Sequence, residues 1–215
     1  MIDAGEVAVN GEPARRGQQV TPGVDQVRIQ GRLVELAAER AYLMMNKPTG
    51  VLTSVGDRRG RPTVTDDLPT ELRLFPVGRL DFQSRGLLLL TDDGELAMRL
   101  MHPRYGVEKE YHVVIDGQPE PATLRRLARG LVIAGERFEP IDARVLSTDA
   151  KTARIAMVLH EGRKREIRRL WQALGYRVLD LQRVRIDGLH LGTLKEGKRR
   201  PLTAAEVARL KAAVS

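Results

Sequence analysis

Cysteine is absent from this sequence, aromatic residues make up only 4% of it, and no apolar run has the length of a membrane-spanning helix. Without cysteine there is no disulfide, no thiol nucleophile and no thiolate metal site. A helix that crosses a bilayer needs about 20 apolar residues, so the sequence predicts no membrane partner. The first residues also lack the charged and then apolar pattern of a secretion signal. We therefore expect a cytoplasmic protein.

Signals for metals and nucleotide cofactors are missing as well. The sequence has four histidines, none at a spacing that favours a shared metal: His102, His112, His160 and His190. Neither of the familiar glycine-rich phosphate loops is present. We expect neither a metal nor a small-molecule cofactor.

What the chain has is positive charge. Its 215 residues include 36 Lys and Arg against 28 Asp and Glu, which gives a formal net charge of +8. The excess is concentrated in residues 161–169, with a second basic run at Lys198–Arg200 and two further arginines, Arg183 and Arg185. Clustered cations of this kind favour a phosphate backbone over a small acid as partner.

The strands are indicated by apolar runs and turn residues. Val7–Val9 and Val27–Ile29, with the hairpin signal Asn10-Gly11, predict a small β unit over residues 3–31. Further predicted strands cover residues 42–45, 87–90, 110–115, 152–159 and 178–186. Alternation along the last of these places Arg183 and Arg185 on one face. A domain boundary is expected near residue 40.

Helix boundaries are indicated by caps. Asp92 and Glu95 are assigned to the start of a helix that His102-Pro103 closes, Pro121 begins a second helix that ends at Gly130, and Thr203 with Glu206 opens the C-terminal one. Together with the strands, these helices predict an α+β fold with a mixed, largely antiparallel sheet, flanking helices and a small N-terminal β appendage.

A fourth helix is predicted from about Lys164, with an apolar face formed by Ile167, Leu170, Trp171 and Leu174. Its first turn would contain Arg163, Lys164 and Arg165, which the positive end of the helix dipole disfavours. A bound phosphate would compensate for this arrangement. The alternative is a solvated charged face softened by Glu161 and Glu166.

The segment Gly78–Gly86 places Asp81 between Arg79 and Arg85. Nearby guanidinium groups would keep a partly buried carboxylate ionised, and an ionised, desolvated carboxylate is a nucleophile or a base. The alternative for an isolated Asp–Arg pair is a surface salt bridge.

Lys109, Tyr111 and Val113 point the same way on one predicted strand. Tyr111 beside Lys109 could stack on a nucleobase, although core packing is the commoner fate of a strand tyrosine.

Several segments together resemble the bacterial ribosomal-RNA pseudouridine synthases of the RsuA and RluB type. The match rests on Leu43–Val51, on Gly78-Arg79-Leu80-Asp81 followed by Gly86–Gly94, on Lys109-Glu110-Tyr111, and on Glu161-Gly162-Arg163 with Ile167–Leu170. It covers residues 40–213, and the order and spacing of the segments fit. Residues 165–166 depart from the His-Gln or Arg-Gln common in relatives.

The resemblance implies the pseudouridine synthase fold over residues 39–215, with residues 1–38 as a truncated αL-type RNA-binding-like appendage. It implies that Asp81 is the catalytic nucleophile, that Tyr111 packs on the target base and that Arg168 pairs with the aspartate. Arg79 would hold the flipped-out nucleotide. Three routes stay open for the carboxylate: attack on the sugar, addition to the base, or removal of a sugar proton.

The expected reaction converts a specific uridine in ribosomal RNA to pseudouridine. Alternatives are a non-catalytic RNA-binding or ribosome-assembly protein and a base-releasing glycosylase. The expected partner is ribosomal RNA, bound by a monomeric chain. The predicted RNA-binding residues are Arg79, Lys109, Arg163, Lys164, Arg165, Arg169, Arg183 and Arg185.

Overall fold

A computed structural model of the chain describes residues 1–21, 24–34, 40–69 and 72–215. Its strands, numbered along the chain, are β1 (Val7–Val9), β2 (Glu12–Pro13), β3 (Val27–Ile29), β4 (Arg32–Val34), β5 (Tyr42–Lys47), β6 (Phe75–Pro76), β7 (Arg85–Thr91), β8 (Lys109–Asp116), β9 (Leu131–Ile133), β10 (Glu136–Phe138), β11 (Asp142–Thr148), β12 (Thr152–Leu159), β13 (Val178–Ile186), β14 (Leu189–His190) and β15 (Arg199–Pro201). The α-helices are α1 (Gly94–Met101), α2 (Pro121–Arg129), α3 (Glu166–Ala173) and α4 (Ala204–Ala212).

The chain forms two compact units, Met1–Arg40 and Ala41–Ser215. The first is a four-stranded antiparallel sheet in the order β2-β1-β3-β4. Asn10 and Gly11 link β1 to β2 with φ values of +53° and +91°, the left-handed backbone that tight hairpins require. The predicted boundary between residues 38 and 39 falls outside the described residues, and the identity of this unit as an RNA-binding module stays a prediction.

The second unit is built on a nine-stranded sheet in the order β11-β12-β8-β13-β7-β5-β15, with β14 beside β13 and β6 beside β7. Among its described strand pairs, β7 and β13 run parallel and the others antiparallel. Helices α1 and α4 contribute to a core on β5 and β7, and α2 and α3 to a core on β8 and β12. This is the α+β architecture that the sequence predicts.

Helix caps agree with the predictions for α2 and α4 and differ at the start of α1. Pro121 begins α2 and Gly130 follows it, and Thr203 and Glu206 form a reciprocal capping box on α4. At α1 the cap is Asp93, whose carboxylate accepts from Leu96 N. The predicted capping role of Asp92 is wrong, because its carboxylate accepts the backbone N–H of Ala41 at 2.9 Å instead.

The prediction that Arg183 and Arg185 share a face is also wrong. A β-bulge between them shifts the register against β8, so that Arg183 lies opposite Tyr111 and Arg185 lies opposite Glu110. Tyr111 and Glu110 are consecutive and point to opposite sides of β8, so the two arginines do as well.

Candidate active site

The segment around Asp81 connects β6 to β7 and is anchored at both sides of the aspartate. Leu80 is buried in the core, and its N–H and C=O are both hydrogen-bonded to Thr53 Oγ1, at 3.2 and 2.8 Å. Ser84 N donates to Asp81 O at 3.0 Å and closes a tight turn. These bonds fix the backbone of Asp81 while its side chain stays half-buried.

Lys47, the last residue of β5, is hydrogen-bonded to this turn. It is fully buried, and its Nζ donates to the carbonyl oxygens of Pro48 at 2.9 Å, Asp81 at 3.2 Å and Ser84 at 2.8 Å. Burial lowers the pKa of Lys47 to about 8, and the charge of Asp81 opposes that shift. A buried ammonium therefore faces the aspartate, in a role that the sequence analysis did not assign to it.

Asp81 opens into a cleft with a volume of about 350 Å³. Tyr111, Leu159, Ile167 and Leu181 form its apolar part, and the segment 161–166 forms its polar rim. Within the described residues, the Asp81 carboxylate has neither a hydrogen bond nor an ion pair. A half-buried carboxylate with no protein partner, in a cleft of this size, is available to a ligand.

Tyr111 satisfies both interpretations of its sequence position. It is 8% exposed and belongs to the core formed by β8, β12 and α3, yet it also lines the cleft beside Asp81. Its ring is therefore held by packing on one side and available to the cleft on the other.

Arg168 lies near Asp81 but does not form the pair that the resemblance implies. Its Nη1 donates to Val178 O at 3.1 Å and its Nη2 to Gln83 O at 3.0 Å, and Nε has no hydrogen-bond partner. Burial lowers the pKa of Arg168, and the charges of Asp81 and Asp180 act against that shift. Arg168 thus positions the Asp81 turn through a carbonyl oxygen, because its two terminal nitrogens are occupied by the backbone.

Arg85 is not a neighbour of the Asp81 carboxylate, contrary to the prediction. Its guanidinium forms an ion pair with Asp180 at 2.6 Å and lies 3.7 Å from Glu196. Asp81 and Arg85, four residues apart in the sequence, thus have different surroundings, since Arg85 already belongs to β7, which pairs with β13.

The eight residues predicted to bind RNA fall into three groups. Arg79, Lys164 and Arg165 are exposed on the rim of the cleft, without an ion pair among the described residues. Arg163 and Arg169 both pair with Glu136, and Arg185 pairs with Glu108 and Glu110. The side chains of Lys109 and Arg183 are partly or fully buried. The first group is the one free to contact phosphates.

Lys109 and Arg183 line a neighbouring cavity that Tyr111 also lines. Burial and the charge of Arg183 lower the pKa of Lys109 to about 8, while Glu166 opposes the shift. Arg183 is 2% exposed, and its Nε donates to Leu87 O at 2.7 Å. Gly86 permits this arrangement, since a Cβ there would lie 2.2 Å from the carbonyl oxygen of Arg183.

Helix α3 begins later than predicted. Arg165 precedes it with a φ of +53°, and Glu166 is its first residue, so the three basic residues lie in the loop before the helix rather than in its first turn. Glu166 is buried, accepts from Arg163 N at 2.9 Å and has its pKa raised by burial. The electrostatic conflict inferred from sequence is reduced, because an acid, Glu166, occupies the first position of the helix.

No cluster of three or more metal-ligating side chains occurs in the part of the chain that the structure describes. In the same residues, no helix is both long and apolar enough to cross a membrane.

Comparison with known proteins identifies the family. Residues 41–173 match the family model of RNA pseudouridylate synthases. The chain belongs to the RNA pseudouridylate synthase family. This membership makes it an enzyme and rules against the alternative of a non-catalytic RNA-binding protein.

Relatives support the same assignment over nearly the whole chain. The chain is 41% identical to the ribosomal large subunit pseudouridine synthase B of Bacillus subtilis (strain 168), over 99% of this chain and 88% of that protein. It is 42% identical to the protein of the same name from Escherichia coli O157:H7, over 89% of this chain and 68% of that protein. A crystal structure of a pseudouridylate synthase aligns with a TM-score of 0.70 and 32% identity, covering 97% of this chain and 90% of that one.

Proposed function

We propose that this pseudouridine synthase acts on ribosomal RNA and that Asp81 is its nucleophile. The observation that carries the proposal is the Asp81 carboxylate itself: it has no protein partner among the described residues, and it opens into a cleft beside Tyr111. The names of the relatives favour RNA of the large ribosomal subunit. Ribosomal RNA as substrate favours a cytoplasmic location.

In this proposal each group in the cleft has a part. Arg79, Lys164 and Arg165 on the rim hold phosphates of the RNA. The target uridine leaves its stack, and its base enters between Tyr111 and Asp81. Breaking the bond between N1 and the sugar, rotating the uracil and joining C5 to the sugar gives pseudouridine without any net change in composition. C5 loses its proton in the last step, and N1, which is no longer bonded to the sugar, gains one, so the protons balance.

Asp81 can serve this reaction by attack on the sugar C1′, by addition to the base, or by removal of the proton at C2′. Uridine deuterated at C2′ separates the third route from the others. A primary isotope effect on single-turnover conversion is expected only if that proton is removed in the rate-limiting step.

The test is to incubate the purified protein with ribosomal RNA that lacks pseudouridine, and then to map the modification chemically in both subunit RNAs. We expect pseudouridine at one new site in the RNA. In Asp81→Asn, the rate of its formation should fall by orders of magnitude, whereas RNA binding should be retained. Asp142→Asn is the matched control, because Asp142 is exposed on β11 and lies outside the cleft. Full activity of Asp81→Asn would refute the assignment, and free uracil among the products would indicate a glycosylase.

A further inference from the structure

Phe82, directly after the proposed nucleophile, is the aromatic side chain whose exposure the fold does not explain. Its side chain is 46% exposed, whereas Phe138 is fully buried and Phe75 is half-buried against the core. Only three phenylalanines occur in the sequence. A single exposed apolar residue is ordinary by itself, so the surroundings of Phe82 decide what it means.

The backbone that presents Phe82 is held rigidly. Asp81 O accepts from Lys47 Nζ at 3.2 Å and from Ser84 N at 3.0 Å. Phe82 O accepts from Gly50 N at 2.8 Å, and Gln83 O accepts from Arg168 Nη2 at 3.0 Å. Three successive carbonyl oxygens are thus bound by two other parts of the fold, the end of β5 with the turn that follows it and helix α3. The ring projects from a fixed turn, so a ligand that packs on it need not order a loop.

Positive charge surrounds the ring. Phe82 lines an open groove of about 840 Å³ that Asp81 also lines and Tyr111 does not. Five arginines line the same groove: Arg58, Arg59, Arg61, Arg79 and Arg165. Two acids line it, Asp57 and Asp81, and Asp57 forms an ion pair with Arg61 at 2.7 Å. A partner for this groove carries repeated negative charge and a flat apolar face. A nucleic acid strand has both.

We propose that Phe82 stacks on the base of an RNA nucleotide next to the target uridine, while the arginines of the groove hold the adjoining phosphates. This inference rests on the proposed function, since it takes the substrate of the Asp81 cleft to be RNA. Stacking would hold the strand beside the flipped nucleotide and so fix which uridine reaches Asp81. Phe82 is thus a positioning residue: it contacts a neighbour of the reacting nucleotide and none of the reacting atoms.

The test measures RNA binding and does not require turnover. The probe is the segment of unmodified ribosomal RNA that the protein protects from nuclease. Stacking of one base on an aromatic ring contributes about 1–3 kcal/mol, so Phe82→Leu should weaken binding by about 5- to 150-fold, and Phe82→Trp should bind within about 3-fold of wild type. Met98→Ala is the matched control, because Met98 is 48% exposed on α1 and lines neither the cleft nor the groove.

An abasic scan of the probe identifies the stacked nucleotide. Removing the base that contacts Phe82 should weaken binding to the wild-type protein by the same factor as the Phe82→Leu substitution does. The same abasic RNA should bind Phe82→Leu almost as well as the intact RNA does, because the stacking contact is already lost. Equal effects of every abasic position in wild type and Phe82→Leu, or binding of Phe82→Leu within 2-fold of wild type, would overturn the proposal. Coupling between Phe82 and one base, without any pseudouridine formed, would refute the proposed function and leave the stacking intact. Pseudouridine formation without such coupling would refute the stacking and leave the proposed function intact.

Discussion

Replacing Lys47 by methionine tests whether the buried ammonium organises the Asp81 turn. Methionine keeps the length of the side chain but removes the donors to Pro48 O, Asp81 O and Ser84 O. Asp81 O still accepts from Ser84 N, so the substitution leaves mainly the carbonyl oxygens of Pro48 and Ser84 without their hydrogen bond. Each buried carbonyl left without its partner costs about 1–3 kcal/mol of stability. Part of this cost is offset, because the folded protein no longer has to desolvate the lysine ammonium. We expect a net loss of about 2–4 kcal/mol in the free energy of unfolding.

Urea unfolding of the full chain measures this loss as a lower midpoint with an unchanged slope. Single-turnover pseudouridine formation should fall by about 100-fold as well, because a shift of about 1 Å in a reacting group has an effect of that size. Lys151→Met is the matched control, since Lys151 is an exposed lysine in a turn between β11 and β12. A Lys47→Met protein as stable and as active as wild type would refute the reasoning.

The pH dependence of stability gives a second readout on the same lysine. Burial lowers the pKa of Lys47 in the folded protein to about 8, against 10.5 in the unfolded chain. Between these values the unfolded chain binds more protons than the folded one, so the contribution of Lys47 to stability rises with pH across this window. The difference in stability between wild type and Lys47→Met should therefore grow from pH 8 to pH 10. A constant difference would contradict the placement of the ammonium in a desolvated site.

Further predictions concern activity, packing and RNA binding. Activity should fall as pH rises through about 8, where the Lys47 ammonium facing Asp81 loses its proton. Burial also lowers the pKa of Lys109 to about 8, so the two lysines must be distinguished by substitution. The fall in activity above pH 8 should disappear from the pH–rate profile of Lys47→Met and remain in that of Lys109→Met. Gly86→Ala should destabilise the protein by about 3 kcal/mol or more in urea, because its φ is +108° and the new Cβ would lie 2.2 Å from a β13 carbonyl oxygen. Gly94→Ala, at a position with no atom within 4 Å of the new Cβ, should unfold at or above the wild-type urea concentration. The affinity for ribosomal RNA should fall steeply with salt, and Lys164→Gln should reduce the slope of log K against log salt by about 0.7–0.9, the share of one phosphate contact. An unchanged slope would exclude Lys164 from the RNA contacts.

Local patterns were sufficient for most of the elements. The predicted strands at residues 152–159 and 178–186 coincide with β12 and β13, and the caps at Pro121 and Thr203 lie where α2 and α4 begin. These features depend on residues a few positions apart, so a short stretch of sequence contains the information. The start of α3 was placed too early because the left-handed backbone of Arg165 has no local sequence signature.

The candidate site was predicted less completely, because its contacts join distant segments. The sequence drew attention to Asp81 and Tyr111, and the structure brings both to one cleft. Lys47 reaches the Asp81 turn across 34 residues, and an apolar strand that ends in lysine was the available signal. Arg85 pairs with an aspartate 95 residues away rather than with its sequence neighbour.

The amino-acid sequence alone determined the α+β class, the positions of the helices and of about half of the strands, and the basic character of the chain. Those properties follow from composition and from periodicities of 2 and 3.6 residues, which each segment carries within itself. Asp81 was singled out by its arginine and glycine neighbours and by the family resemblance, and its role as nucleophile stays a proposal. Only the tertiary structure decided which cations face Asp81, which of them are neutralised by acids, and that Phe82 projects into a basic groove. Register, bulges and strand order set those relations, and they arise when remote segments pack together.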